Sequence, residues 1–273
     1  MIASYAARLA VSTAIAAVLA CAAPFAAAYA QDAAPAAASQ PWLNKDMSPE
    51  ARADAALAAM TQDEKLTLVF GHFSTNAPWQ SVGTKRFEMP KDGLPDSAGY
   101  VYGVPRLGIP AQWQTDAGVG VATQRSPTPR LRTALPSGIA TAATWDPGMA
   151  YAGGAMIGLE SRQKGFNVLL AGGIALAREP RGGRTFEYAG EDPLLAGVMV
   201  GEAIRGIQAQ HIISTTKHYA VNAQETARTV MSADITEAAM RESDLLAFEI
   251  AIEHGDPGAV MCSYNRINKV YAC

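Results

Sequence analysis

The feature that most constrains this chain is its punctuation. Ser-Pro and Asp-Pro pairs open helical stretches, and short apolar runs of strand length lie between them. Ser48-Pro49 predicts a helix continuing through Ala51 to Met60, because a capping residue is followed by proline at the first helical position. Thr61-Gln62-Asp63-Glu64 has the spacing of a capping box, so a second helix follows at once. Asp146-Pro147 opens a third, carried by Met149, Met156, Ile157 and Leu159 to about Lys164 and stopped at Gly165. Asp192-Pro193 opens a fourth through Leu194, Val198 and Ile204. Asp234 or Thr236 caps a fifth, whose apolar positions Leu245, Phe248 and Ile252 fall at helical spacing before Gly255.

Val168–Ala171 follows the third helix, His211–Thr216 the fourth and Ala259–Cys262 the fifth, each of strand length. Strand alternating with helix is the pattern of an α/β fold, a parallel sheet with helices packed outside it. A (β/α) barrel and a doubly wound sheet both fit, and periodicity does not choose between them. No internal sequence repeat is visible.

The first thirty residues stand apart. Arg8 gives a positive start, Leu9 to Ala20 is a small-apolar run interrupted by Ser12 and Thr13, and Ala28-Tyr29-Ala30 reads as a cleavage site. Residues 1–30 are therefore expected to be a signal peptide, leaving a chain that begins at Gln31. An uncleaved anchor over Leu9 to Ala30 and a lipid-modified Cys21 are the alternatives, and all three imply export to a periplasmic or extracellular space. Residues 31–44 read as a flexible Ala-rich leader, with order beginning near Pro41-Trp42. Residues 45–273 read as one α/β domain. Cys262 and Cys273 remain after cleavage, and a disulfide or two buried thiols both fit.

Composition excludes some classes. A formal charge of −3 without a Lys/Arg cluster argues against nucleic acid, and beyond the export signal no membrane partner is implied. The four histidines, His72, His211, His218 and His254, are dispersed, with no pair at the spacing that sets two ligands on one helix face. No metal and no cofactor is implied.

Polar groups recur after the apolar runs. Asp116 follows Ile109; Arg178, Glu179, Arg181, Arg184 and Glu187 follow Val168 to Leu176; Lys217, His218, Asn222, Gln224, Glu225 and Arg228 follow Ile212-Ile213; Ser263, Tyr264, Asn265 and Arg266 follow Val260-Met261. Each has a plain reading: a solvated strand end at Lys217-His218, an i, i+3 pair at Glu225 and Arg228, a basic surface loop from Arg178 to Arg184. Their recurrence at equivalent points suits one pocket at the carboxyl ends of the strands. A Lys beside a His suits a ligand covered in hydroxyls, since both donate and neither needs a metal.

Four blocks carry a family resemblance. Lys217-His218-Tyr219-Ala220-Val221-Asn222-Ala223-Gln224-Glu225-Thr226-Ala227-Arg228 resembles the KHF-x-x-N-x-Q-E-x-x-R segment of glycoside hydrolase family 3, the β-glucosidase and β-xylosidase family. Gly183-Arg184-Thr185-Phe186-Glu187 through Glu191-Asp192-Pro193 to Gly197, Val260-Met261-Cys262-Ser263-Tyr264-Asn265, and Arg106-Leu107-Gly108-Ile109-Pro110 with Asp116 resemble three further blocks, in family order. The resemblance implies a (β/α)8 TIM-barrel-like domain, truncated before its last strands. It also implies retaining hydrolysis of terminal β-D-glycosides in oligosaccharide or polysaccharide breakdown, with oligosaccharides or aryl and alkyl β-glycosides as substrates.

Carried over residue by residue, Asp116 would accept from a pair of sugar hydroxyls, Arg184, Lys217 and His218 would donate, and Tyr264 would stand near the reacting carbon. Glu187 would hold the arginine loop, Asp192 would cap its helix, and Glu225 and Arg228 would shape their loop. Two departures stand out: Asp116-Ala117-Gly118 where the family commonly has Asp-Gly-Pro, and Asn268-Lys269 where it has Asn-Gly. The family's Asp nucleophile and acid/base Glu would both lie beyond Cys273, because no Asp or Glu follows Asp256. A fragment or truncated product is therefore expected, inactive alone. A non-catalytic sugar-binding remnant is the alternative. A β-N-acetylhexosaminidase of the same family would carry Pro-Gly-His where Ala220-Val221-Asn222 stands.

Overall fold

The computed structural model describes residues 40–72, 97–122 and 131–273, so the expected signal peptide and most of the leader lie outside the described residues. The chain forms two compact units, Met1–Met60 and Thr61–Cys273. In the first, Pro41–Leu43 make a 3-10 turn, and α1 (Pro49–Ala59) begins where the Ser48 hydroxyl accepts from the Ala51 N–H. Arg52 donates to the Trp42 carbonyl at 2.7 Å, which fastens the end of the expected leader to α1.

The second unit opens with α2 (Gln62–Leu68). Its capping box closes reciprocally, Glu64 N–H to the Thr61 hydroxyl and Thr61 N–H to the Glu64 carboxylate. The strands are β1 (Gly71–His72), β2 (Gly99–Val101), β3 (Gln112–Asp116), β4 (Val168–Leu170), β5 (Ile213–Tyr219), β6 (Ser232–Ala233), β7 (Ala259–Cys262), β8 (Arg266–Ile267) and β9 (Val270–Tyr271). The main sheet runs β1-β2-β3-β4-β5-β7, antiparallel up to β3 and parallel from β3 onward; β6, β8 and β9 form a small second sheet.

Helices α3 (Gly138–Ala142) and α4 (Pro147–Gln163) connect β3 to β4, α5 (Pro193–Gln208) connects β4 to β5, and α6 (Glu237–Arg241) and α7 (Asp244–Gly255) lead to β7. The parallel strands lie side by side in chain order. A doubly wound sheet reverses its order at a switch point, and none occurs among the described strands, whose winding is that of a barrel wall. One apolar cluster gathers Ile174, Leu176, Met199, Ile204 and Phe248, and a second gathers Phe166, Leu169, Ile207 and Ile212. Each such side chain stabilises the fold by about 1.5–3 kcal/mol through burial.

The α4–α5 contact depends on two glycines. A Cβ on Gly154 would sit 2.1 Å from the Ala203 carbonyl oxygen, and one on Gly206 would sit 2.2 Å from that of Tyr151. Each glycine is the gap that admits the other helix's backbone.

Local capping signals agree with the structure. Asp146 and Asp192 accept from Met149 and Leu195 N–H, and Gly165 takes a positive φ after α4. Three expectations are corrected. The fifth helix is two, α6 and α7, because Arg178 draws the buried Asp244 inward (2.5 Å) while the Ser243 hydroxyl turns back to the Ala239 carbonyl. The strand expected at His211–Thr216 begins at Ile213 and runs to Tyr219, since the turn ending α5 occupies Ala209 to His211. Lys217 and His218 thus stand within a strand rather than after one. Strand β3 also goes unread in the sequence, its run Gln-Trp-Gln-Thr-Asp being mostly polar.

The open question of the cysteines is settled, since Cys262 and Cys273 form a disulfide with Cα atoms 6.0 Å apart. Lys269 does take the positive φ that glycine would have eased, 73°, and its N–H is held by the Ser232 hydroxyl. Gly154→Ala and Gly206→Ala should each lower unfolding free energy by about 1–3 kcal/mol through overpacking. Urea denaturation measures it, and wild-type midpoints for both variants would show that the helices can separate at no cost.

Candidate functional site

The parallel strands bring their carboxyl ends to one place. Asp116 is the last residue of β3 and lies in register with Leu170 of β4; Lys217 of β5 lies in register with Met261 of β7. The backbone under Lys217 is pinned on one side, its N–H to the Gly172 carbonyl at 3.0 Å and its carbonyl to the Ile174 N–H at 2.8 Å. The buried Ser214 and Thr216 hydroxyls donate to the Ala171 and Gly172 carbonyls and stitch the same seam. On the β7 side, the Ser263 hydroxyl and the Asn265 amide both donate to the Ala220 carbonyl. The Lys217–His218 and Tyr219–Ala220 peptides are cis.

Above this floor is a cavity of about 580 Å3, within the range of ligand sites. Asp116, Arg184, Lys217, His218 and Tyr264 all line it, together with Phe186, Glu187, Arg228 and Met261. The first five come from four separate stretches of the chain, and the fold brings them together. Phe186 and Met261 were missed because nothing in a sequence says which apolar side chain remains at a cavity wall.

The charges interlock. Lys217 is 1% exposed, and its Nζ lies 3.2 Å from Asp116 Oδ1 and 3.4 Å from Glu187 Oε2. Glu187, itself buried, also accepts from Arg184 Nε, so it holds the arginine loop and Lys217 at once. Arg184 Nη1 lies 4.0 Å from Glu225, whose other oxygen accepts from Arg228 Nη1 at 2.5 Å. The Arg228 guanidinium covers the Tyr264 ring at 5.0 Å, leaving that ring more than half exposed. Three carboxylates face three cations, so the pocket is formally neutral. Asp116 is the least enclosed of the carboxylates, its side chain 37% exposed.

His218 is buried, and its Nδ1 lies 3.0 Å from the Tyr188 hydroxyl. Burial, together with the Arg184, Lys217 and Arg228 charges, depresses its pKa to about 2. The imidazole is therefore neutral at any working pH. Tyr188 sits behind the cavity wall, and its burial pushes the phenol up to about 12. Sequence reading passed over Tyr188 because its neighbours in the block carry the charge.

The model of the glycosyl hydrolase family 3 N-terminal domain matches residues 94–272. The chain belongs to glycosyl hydrolase family 3. Its barrel-type α/β fold is the TIM-barrel-like fold of that domain. Among curated relatives, Beta-glucosidase B of Emericella nidulans is 40% identical over 168 residues, covering 62% of this chain and 20% of the relative. Beta-glucosidase 1 of Aspergillus aculeatus is 34% identical over 236 residues, covering 81% and 25%.

Among solved structures, beta-glucosidase 3B from Thermotoga neapolitana in complex with glucose superposes with a TM-score of 0.70 at 33% identity, covering 80% of this chain and 30% of that one. The Kluyveromyces marxianus beta-glucosidase in complex with glucose gives 0.68 at 28% identity, covering 80% and 24%. The chain spans about a fifth to a quarter of the length of the curated relatives it matches.

The depressed His218 pKa has a stability consequence. The unfolded imidazole takes up its proton near 6.5 and the folded one only near 2, so stability falls as pH drops through that interval. Between pH 7 and pH 5 the wild type should lose about 1–2 kcal/mol more unfolding free energy than His218→Gln. Equal losses in urea denaturation at the two pH values would contradict the buried neutral imidazole.

Proposed function

We propose that this cavity holds the terminal sugar of a β-D-glucoside, for hydrolysis by the protein that carries this family 3 domain. The observation that carries the reading is Lys217, a buried ammonium clasped by Asp116 and Glu187 in a pocket whose formal charges cancel. An anionic ligand would need a surplus of cations, and a purely apolar one would strand the polar groups. A neutral polyol suits both: it offers hydroxyls that accept from Lys217, Arg184 and His218 and donate to Asp116. The exposed Phe186 and Tyr264 rings supply apolar wall for sugar C–H faces. Membership of the family and the glucose complexes of its beta-glucosidases support the same reading.

The carboxylates of the pocket, Asp116, Glu187 and Glu225, each already engage a cation. We assign none of them to the two reacting carboxyl groups that a retaining glycosidase sets about 5–5.5 Å apart. In this reading the present residues hold and orient the sugar, and Tyr264 borders the place where the reacting carbon would lie. A protein that binds sugar without cleaving it would share the cavity, and turnover separates the two.

Ligand-observed NMR on the 273-residue chain should detect glucose binding, and Asp116→Asn and Lys217→Met should each weaken it at least tenfold. Asp116→Asn leaves Glu187 beside Lys217, and circular dichroism separates lost binding from lost fold. Unchanged affinity in both, with circular dichroism showing the fold kept, would place the sugar elsewhere. The same preparation should cleave 4-nitrophenyl β-glucoside no faster than buffer; clear turnover by pure protein would return one of these carboxylates to the reacting pair.

We also propose export, supported by the apolar run Leu9 to Ala20 and the Ala28-Tyr29-Ala30 site. Protein secreted by a bacterial host should begin at Gln31 on N-terminal sequencing; a chain retained in the membrane with Met1 intact would reject cleavage.

A further inference from the structure

Behind the cavity wall a line of polar groups runs from Arg228 to His218. Arg228 Nη1 donates to Glu225 Oε2 at 2.5 Å. Glu225 Oε1 accepts from Asn222 Nδ2 at 3.2 Å, and the same amide nitrogen lies 3.3 Å from the Tyr188 hydroxyl. That hydroxyl lies 3.0 Å from His218 Nδ1. Asn222, Tyr188 and His218 are all buried, so the direction of each hydrogen bond matters.

One end of the line is unambiguous, and the direction propagates from it. A carboxylate only accepts, and Glu225 is held against a guanidinium, so the Asn222 group facing it is the NH2. With the amide oriented that way, its second N–H donates to the Tyr188 oxygen. The Tyr188 proton then has one acceptor among its polar neighbours in the described residues, His218 Nδ1; aimed anywhere else it would be a buried unsatisfied donor, costing about 1–3 kcal/mol. The phenol keeps that proton across the working range, since burial raises its pKa to about 12. A neutral imidazole accepting at Nδ1 carries its proton at Nε2. His218 lines the cavity, and its Nε2 has no hydrogen-bond partner among the described residues and is not sealed among the buried atoms.

We propose that Tyr188 is a positioning residue that sets the tautomer of His218, so that the imidazole presents Nε2–H to the cavity as a donor. The proposal rests on the sugar-site reading only for the identity of what accepts that hydrogen bond, a hydroxyl oxygen. None of the charged and titratable groups around His218 offers an acceptor that would hold a proton on Nδ1: Arg184, Lys217 and Arg228 only donate, Glu187 is engaged by Arg184 and Lys217, and Glu225 reaches the ring only through Asn222 and Tyr188. The proton position at His218 is thus decided by Tyr188, Asn222 and Glu225, which stand behind the residues that line the cavity. It also imposes a polarity on the ligand: the hydroxyl against His218 must accept there, leaving its own proton for another partner.

Long-range 1H–15N spectra of the full 273-residue chain read the tautomer directly, with His218→Gln identifying the His218 signals. At pH 7 without sugar, His218 should show an unprotonated Nδ1 and a protonated Nε2. A wild-type His218 protonated at Nδ1 overturns the proposal, whether or not any variant folds. In Tyr188→Phe the signals should shift toward a mixture of tautomers and glucose affinity should fall about five- to tenfold, the worth of one hydrogen bond of roughly 1 kcal/mol. A folded Tyr188→Phe with the wild-type tautomer would remove Tyr188 from the role. The tautomer is measured without ligand, so a failure of glucose to bind would count against the sugar-site reading and leave this result standing.

Discussion

Lys217 carries a full charge on a side chain with almost no access to water, and much of the second unit is arranged to make that tolerable. Desolvating an ammonium costs several kcal/mol, and only close counter-charges offset it. Asp116 arrives from the end of β3 and Glu187 from the loop after β4, both within 3.4 Å. Removing either partner would leave a buried charge uncompensated, at a cost of about 3–5 kcal/mol. The clasp therefore couples three separate stretches of chain, and the cavity can keep its shape only while all three are in place. In the proposed sugar complex, the groups that would meet the ligand are already fixed by one another before it arrives.

Fixing them requires a rigid floor, and the floor begins at the helix layer. The reciprocal approach of Gly154 and Gly206 lets α4 and α5 pack backbone to backbone. The apolar side of α5, with Met199, Ile204 and Ile207, then reaches the strands beneath. On the sheet's carboxyl side the Ser214 and Thr216 hydroxyls donate to the carbonyls of Ala171 and Gly172 just past the end of β4, so these two polar side chains are buried without being left unsatisfied. Lys217 follows directly from Thr216 and shares that anchorage through its own backbone bonds to Gly172 and Ile174. The placement of an ammonium at the end of a four-carbon stem comes from such support and not from the lysine itself.

How much of this could be read from residues alone depended on range. Helix starts at Ser48, Thr61, Asp146 and Asp192 were visible because a cap acts within three residues of itself. The break between α6 and α7 was not, because it answers to Arg178, 66 residues before Asp244. Strand β3 escaped because a strand with few large apolar side chains shows its identity only once its neighbours are present. At the site, the charged residues stood out as polar groups after apolar runs, and the family blocks supplied their roles. The pairing of those charges was hidden: Glu187 and Asp192 both looked like scaffolding, yet Asp192 caps a helix while Glu187 grips the buried lysine. Tyr188 left no signal, since nothing local distinguishes a tyrosine whose hydroxyl steers an imidazole from one that fills a core.

The neutral imidazole and the balanced charges belong to one physical solution. Three cations around His218 disfavour its protonation, and three carboxylates offset those cations by pairing with them. A histidine free to titrate here would unbalance the pocket near neutral pH and turn a donor-acceptor pair of nitrogens into two donors. Keeping it neutral preserves one acceptor, which Tyr188 occupies, and one donor, which faces the cavity. With its charges cancelled internally, the site as proposed would discriminate by the direction of hydrogen bonds rather than by net attraction, which is the kind of recognition that an uncharged, many-hydroxyl ligand requires.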